Sequence, residues 1–245
     1  MVKKMLLSVL FLFILTPIFS SYSFAQTRSW HIVEVHEGTY DGFWMQSTLP
    51  TITSRWTPGT ENKINYEFWQ STNGKSKTDW VEMGYHDGYD YDIYGEGKYD
   101  TSYKGLFVAK KTLTSWTLRK VTSENWKPGE NHTWGTDFWP NSDGTTSVDM
   151  RSDGAVIQTY HKTTPAAKIS VGVEFGQGPI LPSSTPQRIS SNSYIYNLHV
   201  RKYRPNDIWY KWSDVGGILI WNDNQGLNTG ISSYYINNLN QILFQ

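Results

Sequence analysis

Short runs in which apolar and polar residues alternate make up most of this chain. In residues 63–71 (KINYEFWQS), Ile64, Tyr66 and Phe68 share one side of an extended chain, and the intervening positions share the other. Residues 79–85 (DWVEMGY) repeat the pattern and put Glu82 on the side away from the apolar positions. A period of two residues is typical of β-strands that bury one face.

Such runs recur at steady spacing, and Asn-Gly, Asp-Gly and Pro-Gly turns separate them. We predict strands over residues 30–35, 40–49, 63–71, 79–85, 104–111, 115–121, 132–139, 145–150, 155–160, 167–175 and 193–203. This succession indicates an all-β protein, an antiparallel two-sheet β-sandwich over residues 26–204. Residues 205–245 form a C-terminal extension, in which 231–244 reads equally well as a helix or as two further strands.

Residues 1–25 have the pattern of a secretory signal peptide. Lys3 and Lys4 precede an apolar run, and small residues end the segment at Ala25. The apolar run is shorter than the about 20 residues that a membrane span needs. We therefore expect a secreted, extracellular protein that begins near Gln26 and has no membrane association after cleavage.

Composition narrows the range of partners. Removing Lys3 and Lys4 leaves 20 basic against 22 acidic residues, a balance that argues against nucleic acid as a partner. The absence of cysteine excludes thiol catalysis and cysteine-bound metals. The chain has 12 Trp and 16 Tyr, residues that favour strands and line grooves for sugars or extended peptides.

Two carboxylates stand out by their context. Glu174, in residues 169–175 (ISVGVEF), lies opposite the apolar face of its strand, as Glu82 does in its own. Glycines flank both positions, Gly84 in one strand and Gly172 in the other, and a glycine leaves room for a substrate backbone. If the two strands belong to one sheet, we expect the carboxylates to meet in a groove floored by Trp69 and Trp80.

These segments resemble the glutamic peptidases. The residues 80–85 (WVEMGY) are similar to the strand that carries the first catalytic residue, which is Gln in the eqolisin type and Glu in the neprosin type. Residues 171–174 (VGVE) are similar to the strand of the catalytic Glu, and residues 194–198 (YIYNL) to a closing segment. The resemblance covers roughly residues 30–200 and implies a concanavalin-like jelly roll.

It also implies a secreted endopeptidase active at acid pH, with no cofactor. Two carboxylates close together do not both ionise cheaply, so one keeps its proton while the other acts as base. Glu174 would activate water, and protonated Glu82 would stabilise the oxyanion. We expect an extended polypeptide substrate to be bound by the aromatic residues Trp69, Trp80, Trp44 and Tyr85.

Other interpretations stay open. A carbohydrate-binding or carbohydrate-cleaving sandwich would use the same aromatic residues on a polysaccharide, and a non-catalytic relative would have the same pattern. The loop after residue 86 contains Asp87, Asp90 and Asp92, oxygen ligands of the kind that Ca²⁺ takes. Their spacing is not that of an EF-hand, which favours a solvated acidic loop, and the scattered histidines argue against zinc. The sequence does not predict the oligomeric state.

Overall fold

The structure is a computed structural model of the 245-residue chain. It describes residues 27–35, 40–49, 52–53, 63–71, 80–88, 103–112, 114–122, 126–162, 168–177, 188–189, 194–202, 207–225 and 233–244. The expected signal peptide lies outside these residues.

Seven antiparallel strands form the first sheet, which we call sheet A. In spatial order they run β15, β1, β11, β4, β5, β6 and β7. Their bounds are β1 Thr27–Val35, β4 Lys63–Ser71, β5 Trp80–Gly88, β6 Tyr103–Lys111, β7 Trp116–Lys120, β11 Lys168–Gln177 and β15 Ile218–Gln225.

The second sheet, sheet B, has eight strands in the order β10, β9, β8, β2, β13, β17 and β16, with β14 also paired to β13. Their bounds are β2 Tyr40–Thr48, β8 Asn131–Pro140, β9 Thr146–Ser152, β10 Ala155–Lys162, β13 Tyr194–Lys202, β14 Trp209–Lys211, β16 Ser233–Ile236 and β17 Gln241–Phe244. Two short strands, β3 (Ile52–Thr53) and β12 (Arg188–Ile189), pair with each other.

The core lies between the two sheets. Val81, Met83 and Tyr85 face it from sheet A, and Phe43 and Met45 face it from sheet B. These are the apolar positions of the alternating runs, and each is at most 1% exposed. The predicted antiparallel two-sheet sandwich is therefore confirmed, with the apolar face of each strand directed as the alternation indicates.

The C-terminal segment continues both sheets. The strand β15 pairs with β1 at the edge of sheet A, and β17 pairs with β13 in sheet B. Of the two alternatives for residues 231–244, two strands are confirmed: β16 and β17, joined by a 3₁₀ turn at Asn237–Leu239. The one α-helical turn in the described part of the chain, α1 (Trp212–Val215), buries Trp212 in the core.

No helix among the described residues is long and apolar enough to cross a membrane.

Candidate active site

Glu82 lies on the outer face of sheet A, the face opposite the core. Its neighbours along β5, Val81 and Met83, point into the core, so the alternation of the strand turns Glu82 the other way. The residue is nevertheless only 8% exposed. The indole N–H of Trp80 donates a hydrogen bond to Glu82 Oε2 over 3.3 Å, as expected for positions i and i+2 of one strand. Glu82 is thus a buried carboxyl group beside a neutral donor.

Other residues of this outer face are buried too. Ala109, directly opposite Glu82 on β6, and Phe107, opposite Gly84, are both fully buried. His86, four residues after Glu82 and on the same face, is 2% exposed and meets the Phe107 ring edge-on with centroids 6.2 Å apart. Polar groups on this face therefore lie in a largely dry environment, which strengthens electrostatic interactions.

A second buried carboxyl lies in the row of Glu82. Residue 69 of β4 pairs with Glu82 on one side and with Ser170 of β11 on the other, and Ser170 pairs with Glu34 of β1. Glu34 is 2% exposed, and the Ser170 hydroxyl donates to its Oε1 at 2.7 Å. Sequence reasoning missed Glu34, although its place between Val33 and Val35 is the same signal that identified Glu82.

Glu174 shares the sheet and the face of Glu82, but not its row. The strands β5 and β11 lie on either side of β4. Glu82 of β5 pairs with residue 69 of β4, and Glu174 of β11 pairs with residue 65 of β4. Four residues at about 3.3 Å each separate the two by about 13 Å along the strands, and two strand spacings add about 10 Å across. The backbone therefore brings both carboxyl-bearing residues onto one face without placing them directly opposite each other. Glu174 is half-buried as a residue, and its Oε1 is buried.

Residue 67 occupies the position between them. It pairs with Gly84 on β5 and with Gly172 on β11, so it lies one step diagonally from Glu82 and one step diagonally from Glu174. Diagonal neighbours in an antiparallel sheet lie about 7–8 Å apart. The residue there is Glu67, which the sequence analysis placed on the polar side of its strand without assigning it a role. Positions 82, 67 and 174 lie on one diagonal line because of the register of the three strands. Sequence analysis did not identify Glu67 because alternation does not reveal register.

Gly172 has a different function from the one expected. A Cβ built there would lie 2.6 Å from the backbone oxygen of His31 and 3.0 Å from Ile32 Cγ1. The missing side chain therefore lets β1 approach β11 closely, and its space is already occupied by this chain. The expectation that Gly172 opens room for a substrate is wrong.

Two of the expected substrate-binding residues lie elsewhere. Tyr85 is fully buried in the core, because it shares the face of Val81 and Met83. Trp44 belongs to β2 of sheet B and lies away from the core, since its neighbours Phe43 and Met45 point inward. Neither lines the face that carries Glu82. Trp80 does, through its hydrogen bond to Glu82.

For the remaining predicted site residues, the structure describes only the position of the backbone or does not describe the residue. Residue 69 lies in β4 opposite Glu82, and the Trp69 side chain lies outside the described part. Asp87 belongs to the end of β5, while Asp90 and Asp92 fall outside the described residues. Among the side chains that the structure describes, no three His, Asp or Glu residues group in a way that could hold a metal ion.

The chain is similar in fold to solved two-sheet hydrolases. Scytalido-glutamic peptidase with a transition state analog inhibitor has a TM-score of 0.48 at 11% identity, over 90% of this chain and 98% of that one. SCP-B, a member of the eqolisin family bound to the tripeptide Ala-Ile-His, has 0.42 at 10% identity over 90% and 98%. Bacillus licheniformis beta-glucanase has 0.42 at 15% identity over 74% and 80%. All three likenesses have TM-scores below 0.5 and identities of 10–15%.

No protein-family model matches the sequence, and no curated protein matches it.

Proposed function

We propose that this protein is a glutamic-type endopeptidase, whose carboxyl groups on the outer face of sheet A activate water against a peptide bond. The observation that carries the proposal is that two shielded carboxyl groups share one face of sheet A: Glu82 is 8% exposed, and Glu174 is half-buried with its Oε1 buried. Burial disfavours the charged form of a carboxyl group. In the proposal Glu82 is the group that keeps its proton, and Glu174 the group that acts as base.

The two carboxyl groups have different roles in the proposed reaction. Glu174 takes a proton from a water molecule while the water oxygen attacks the peptide carbonyl carbon. Glu82 donates a hydrogen bond to the oxygen on which negative charge develops. When the tetrahedral intermediate collapses, the C–N bond breaks and the amine leaves with the proton that Glu174 accepted. Because Glu82 must be protonated, activity is confined to acid pH.

The offset between the two residues favours direct attack by water. The carboxyl groups of retaining glycoside hydrolases, one of which is a nucleophile, lie only about 5–5.5 Å apart. An acid and a base with a water between them lie about 6.5–9.5 Å apart. Positions 82 and 174 are about 16 Å apart by the spacings above, so the proposal requires both side chains to extend along the sheet toward residue 67. In this proposal the peptide carbonyl lies over β4 near residue 67.

The test is digestion of casein from pH 2 to 8 by the wild-type protein and its variants. Wild type is expected to cut with an acid optimum, and Glu174→Gln to lose activity by about 10²-fold or more, because it removes the base. Glu82→Gln keeps an N–H donor, so it should retain activity and depend less on acid, whereas Glu82→Leu should be inactive. Glu34→Gln is the matched control, a buried carboxyl of the same face that hydrogen-bonds to Ser170.

Any of three results would overturn the proposal, the second and third of which concern variants. The first is a wild-type protein that cuts nothing at any pH. The second is a Glu174→Gln variant that cuts as fast as wild type, and the third is a Glu34→Gln variant that loses as much activity as Glu174→Gln while remaining folded. Glu67→Gln then tests whether a third carboxyl group takes part. A loss of activity comparable to that of Glu174→Gln would make position 67 part of the catalytic group.

We further propose that residues 1–25 direct export of the protein. Amino-terminal sequencing of the protein recovered from culture medium should then begin near Gln26. Recovery of the intact amino terminus from the cytosol alone would contradict export.

A further inference from the structure

The outer face of sheet B contains a cleft that the proposed peptidase chemistry does not use. One row of this face runs from Trp44 on β2 through Gly135 on β8 to Arg151 on β9. Because Gly135 has no side chain, the row has a gap between the indole and the guanidinium group. The gap belongs to a cleft of ≈ 300 Å³ with Trp209 on its wall. That volume is at the small end of ligand pockets.

Two indole rings form the apolar part of the cleft, and both are held in place. Trp209 is 39% exposed, and its ring lies 5.1 Å from the guanidinium carbon of Arg201. The ring packs down over Gly42, where an added Cβ would come within 2.8 Å of Trp209 Cη2. Trp44 meets the His199 ring edge-on at 5.5 Å. A ligand that stacks on these rings meets surfaces whose orientation is already fixed.

The charged groups at one end of the cleft are paired with each other, and the carboxylates outnumber the guanidinium groups, since Arg151 also lies 3.7 Å from Asp149 and Arg201 lies 2.9 Å from Asp207. Arg151 Nε donates to Asp137 Oδ2 at 2.9 Å, and Asp137 Oδ1 lies 3.4 Å from a terminal nitrogen of Arg201. Arg201, with a side chain 5% exposed, also donates to Asp41 Oδ1 at 2.6 Å. The Arg151 and Asp137 side chains remain partly exposed, at 33% and 19%. They therefore offer donors and acceptors in fixed positions.

The other end of the cleft is fixed in the same way. The backbone N–H of Thr133 donates to Asp153 Oδ1 at 2.8 Å, and Asp153 Oδ2 lies 2.8 Å from Nδ1 of His132. The His132 ring in turn stacks on Trp126, with centroids 4.2 Å apart and planes 10° from parallel. Asp153 is thus an exposed acceptor that several contacts hold at the rim.

We propose that this cleft binds a neutral carbohydrate, one sugar unit or the end of an oligosaccharide. Sugar rings combine an apolar face, which stacks on indole, with hydroxyl groups, which need fixed donors and acceptors around their edge. Both features are present here, on residues of β2, β8, β9 and β14. An anionic ligand would meet carboxylates that outnumber the two guanidinium groups, both of which are already paired. The site lies on the opposite sheet from Glu82 and is independent of it.

Affinity electrophoresis in native gels tests the proposal with the whole protein. The probes are three soluble neutral polysaccharides (mixed-linkage β-glucan, glucomannan and arabinoxylan), with heparin as an anionic comparison. At least one neutral polysaccharide should retard the wild-type protein, and Trp44→Ala should weaken the retardation by about tenfold or more. The matched control is Trp139→Ala, a tryptophan that is 41% exposed on the same strand as Gly135 but does not line the cleft.

Glu82→Gln should bind as wild type does, which separates this site from the peptidase proposal. The inference is overturned if no neutral polysaccharide retards the folded wild-type protein, or if heparin alone does. It is also overturned if Trp139→Ala weakens retardation as much as Trp44→Ala. Circular dichroism of each variant establishes that the sandwich is folded.

Discussion

The outer faces of the two sheets both carry carboxyl groups, and their partners differ in kind. On sheet A, Glu82 accepts from the indole of Trp80 and Glu34 from the hydroxyl of Ser170, both neutral donors. On sheet B, Asp41 and Asp137 bind the guanidinium groups of Arg201 and Arg151. Charges that are paired with each other stabilise a fold only as a set, because removing one leaves another buried alone. The paired charges of sheet B therefore have a structural role, whereas in the proposed function Glu82 of sheet A has a chemical one.

The largest effect on stability should come from Arg201→Met. This change leaves Asp41, which is 2% exposed, without its guanidinium partner. Breaking a buried ion pair on one side costs about 3–5 kcal/mol. Urea denaturation should show this loss in the free energy of unfolding. Arg151→Met, whose side chain is 33% exposed, is the control and should cost about 1 kcal/mol or less. Equal losses in the two variants would remove the distinction between buried and rim charges.

A smaller loss should follow from Gly172→Ala. The new Cβ would lie 2.6 Å from a backbone oxygen of the neighbouring strand, and overpacking of this kind costs about 1–3 kcal/mol. Gly135→Ala on sheet B is the matched change. Its Cβ would approach Phe43 O to 3.1 Å and Trp44 Cδ1 to 3.5 Å, so we expect a smaller destabilisation. If Gly135→Ala proves the more damaging in urea denaturation, the glycine of sheet A does not set the spacing of β1 and β11.

Acid should destabilise sheet A through His31. Burial lowers the pKa of His31 below its ordinary value of 6.5, although the hydrogen bond between its Nδ1 and Asn222 partly opposes this. The unfolded chain then binds a proton more readily than the folded one. The stabilisation is complete above about pH 6.5 and is lost as the pH falls toward the folded pKa.

Urea denaturation between pH 7 and pH 5 measures this effect. Wild type should lose about 1.4 kcal/mol from this residue for each pH unit that separates the two pKa values. His31→Leu should lack this part of the pH dependence. Parallel curves for the two proteins would show that His31 does not contribute.

The smallest effect on stability is expected from Glu82→Gln. Glutamine has the shape of glutamate, and its amide oxygen can accept the hydrogen bond from Trp80 that Glu82 accepts now. We expect a change within about 0.5–1 kcal/mol in urea denaturation. A loss as large as that of Arg201→Met would show that the carboxylate of Glu82 is as structural as those of sheet B.

Alternation along the sequence predicts the faces of the strands well. The bounds predicted for residues 63–71 agree with β4, and Glu82 and Glu174 both lie away from the core as expected. These predictions succeed because the direction of a side chain depends only on its own strand and on which neighbours are apolar. The same rule shows why assigning Tyr85 to a groove was wrong: its position in the alternation is a core position.

Register and sheet membership could not be predicted in this way. The four-residue offset between Glu82 and Glu174 depends on how β5 and β11 each pair with β4, and β11 is about a hundred residues away along the chain. The same limit explains why the prediction for Trp44 was wrong. Its aromatic side chain suggested ligand binding, but the sequence does not show that its strand belongs to the other sheet. In the C-terminal segment, residues 231–244 are too short a run for periodicity to separate a helix from two strands.

The position of β1 has a consequence for the order of folding. Although it is the first of the described strands, it lies inside sheet A between β11 and β15, which comprise Lys168–Gln177 and Ile218–Gln225. Both partners are synthesised long after β1 emerges. The hydrogen bonds that join β1 to β11 and β15 therefore form late, and forming them closes long loops of the chain. Topologies dominated by such distant pairings fold slowly and expose unpaired strand edges meanwhile. Loss of the last 40 residues would leave β1 as a permanent edge, and the truncated protein should aggregate.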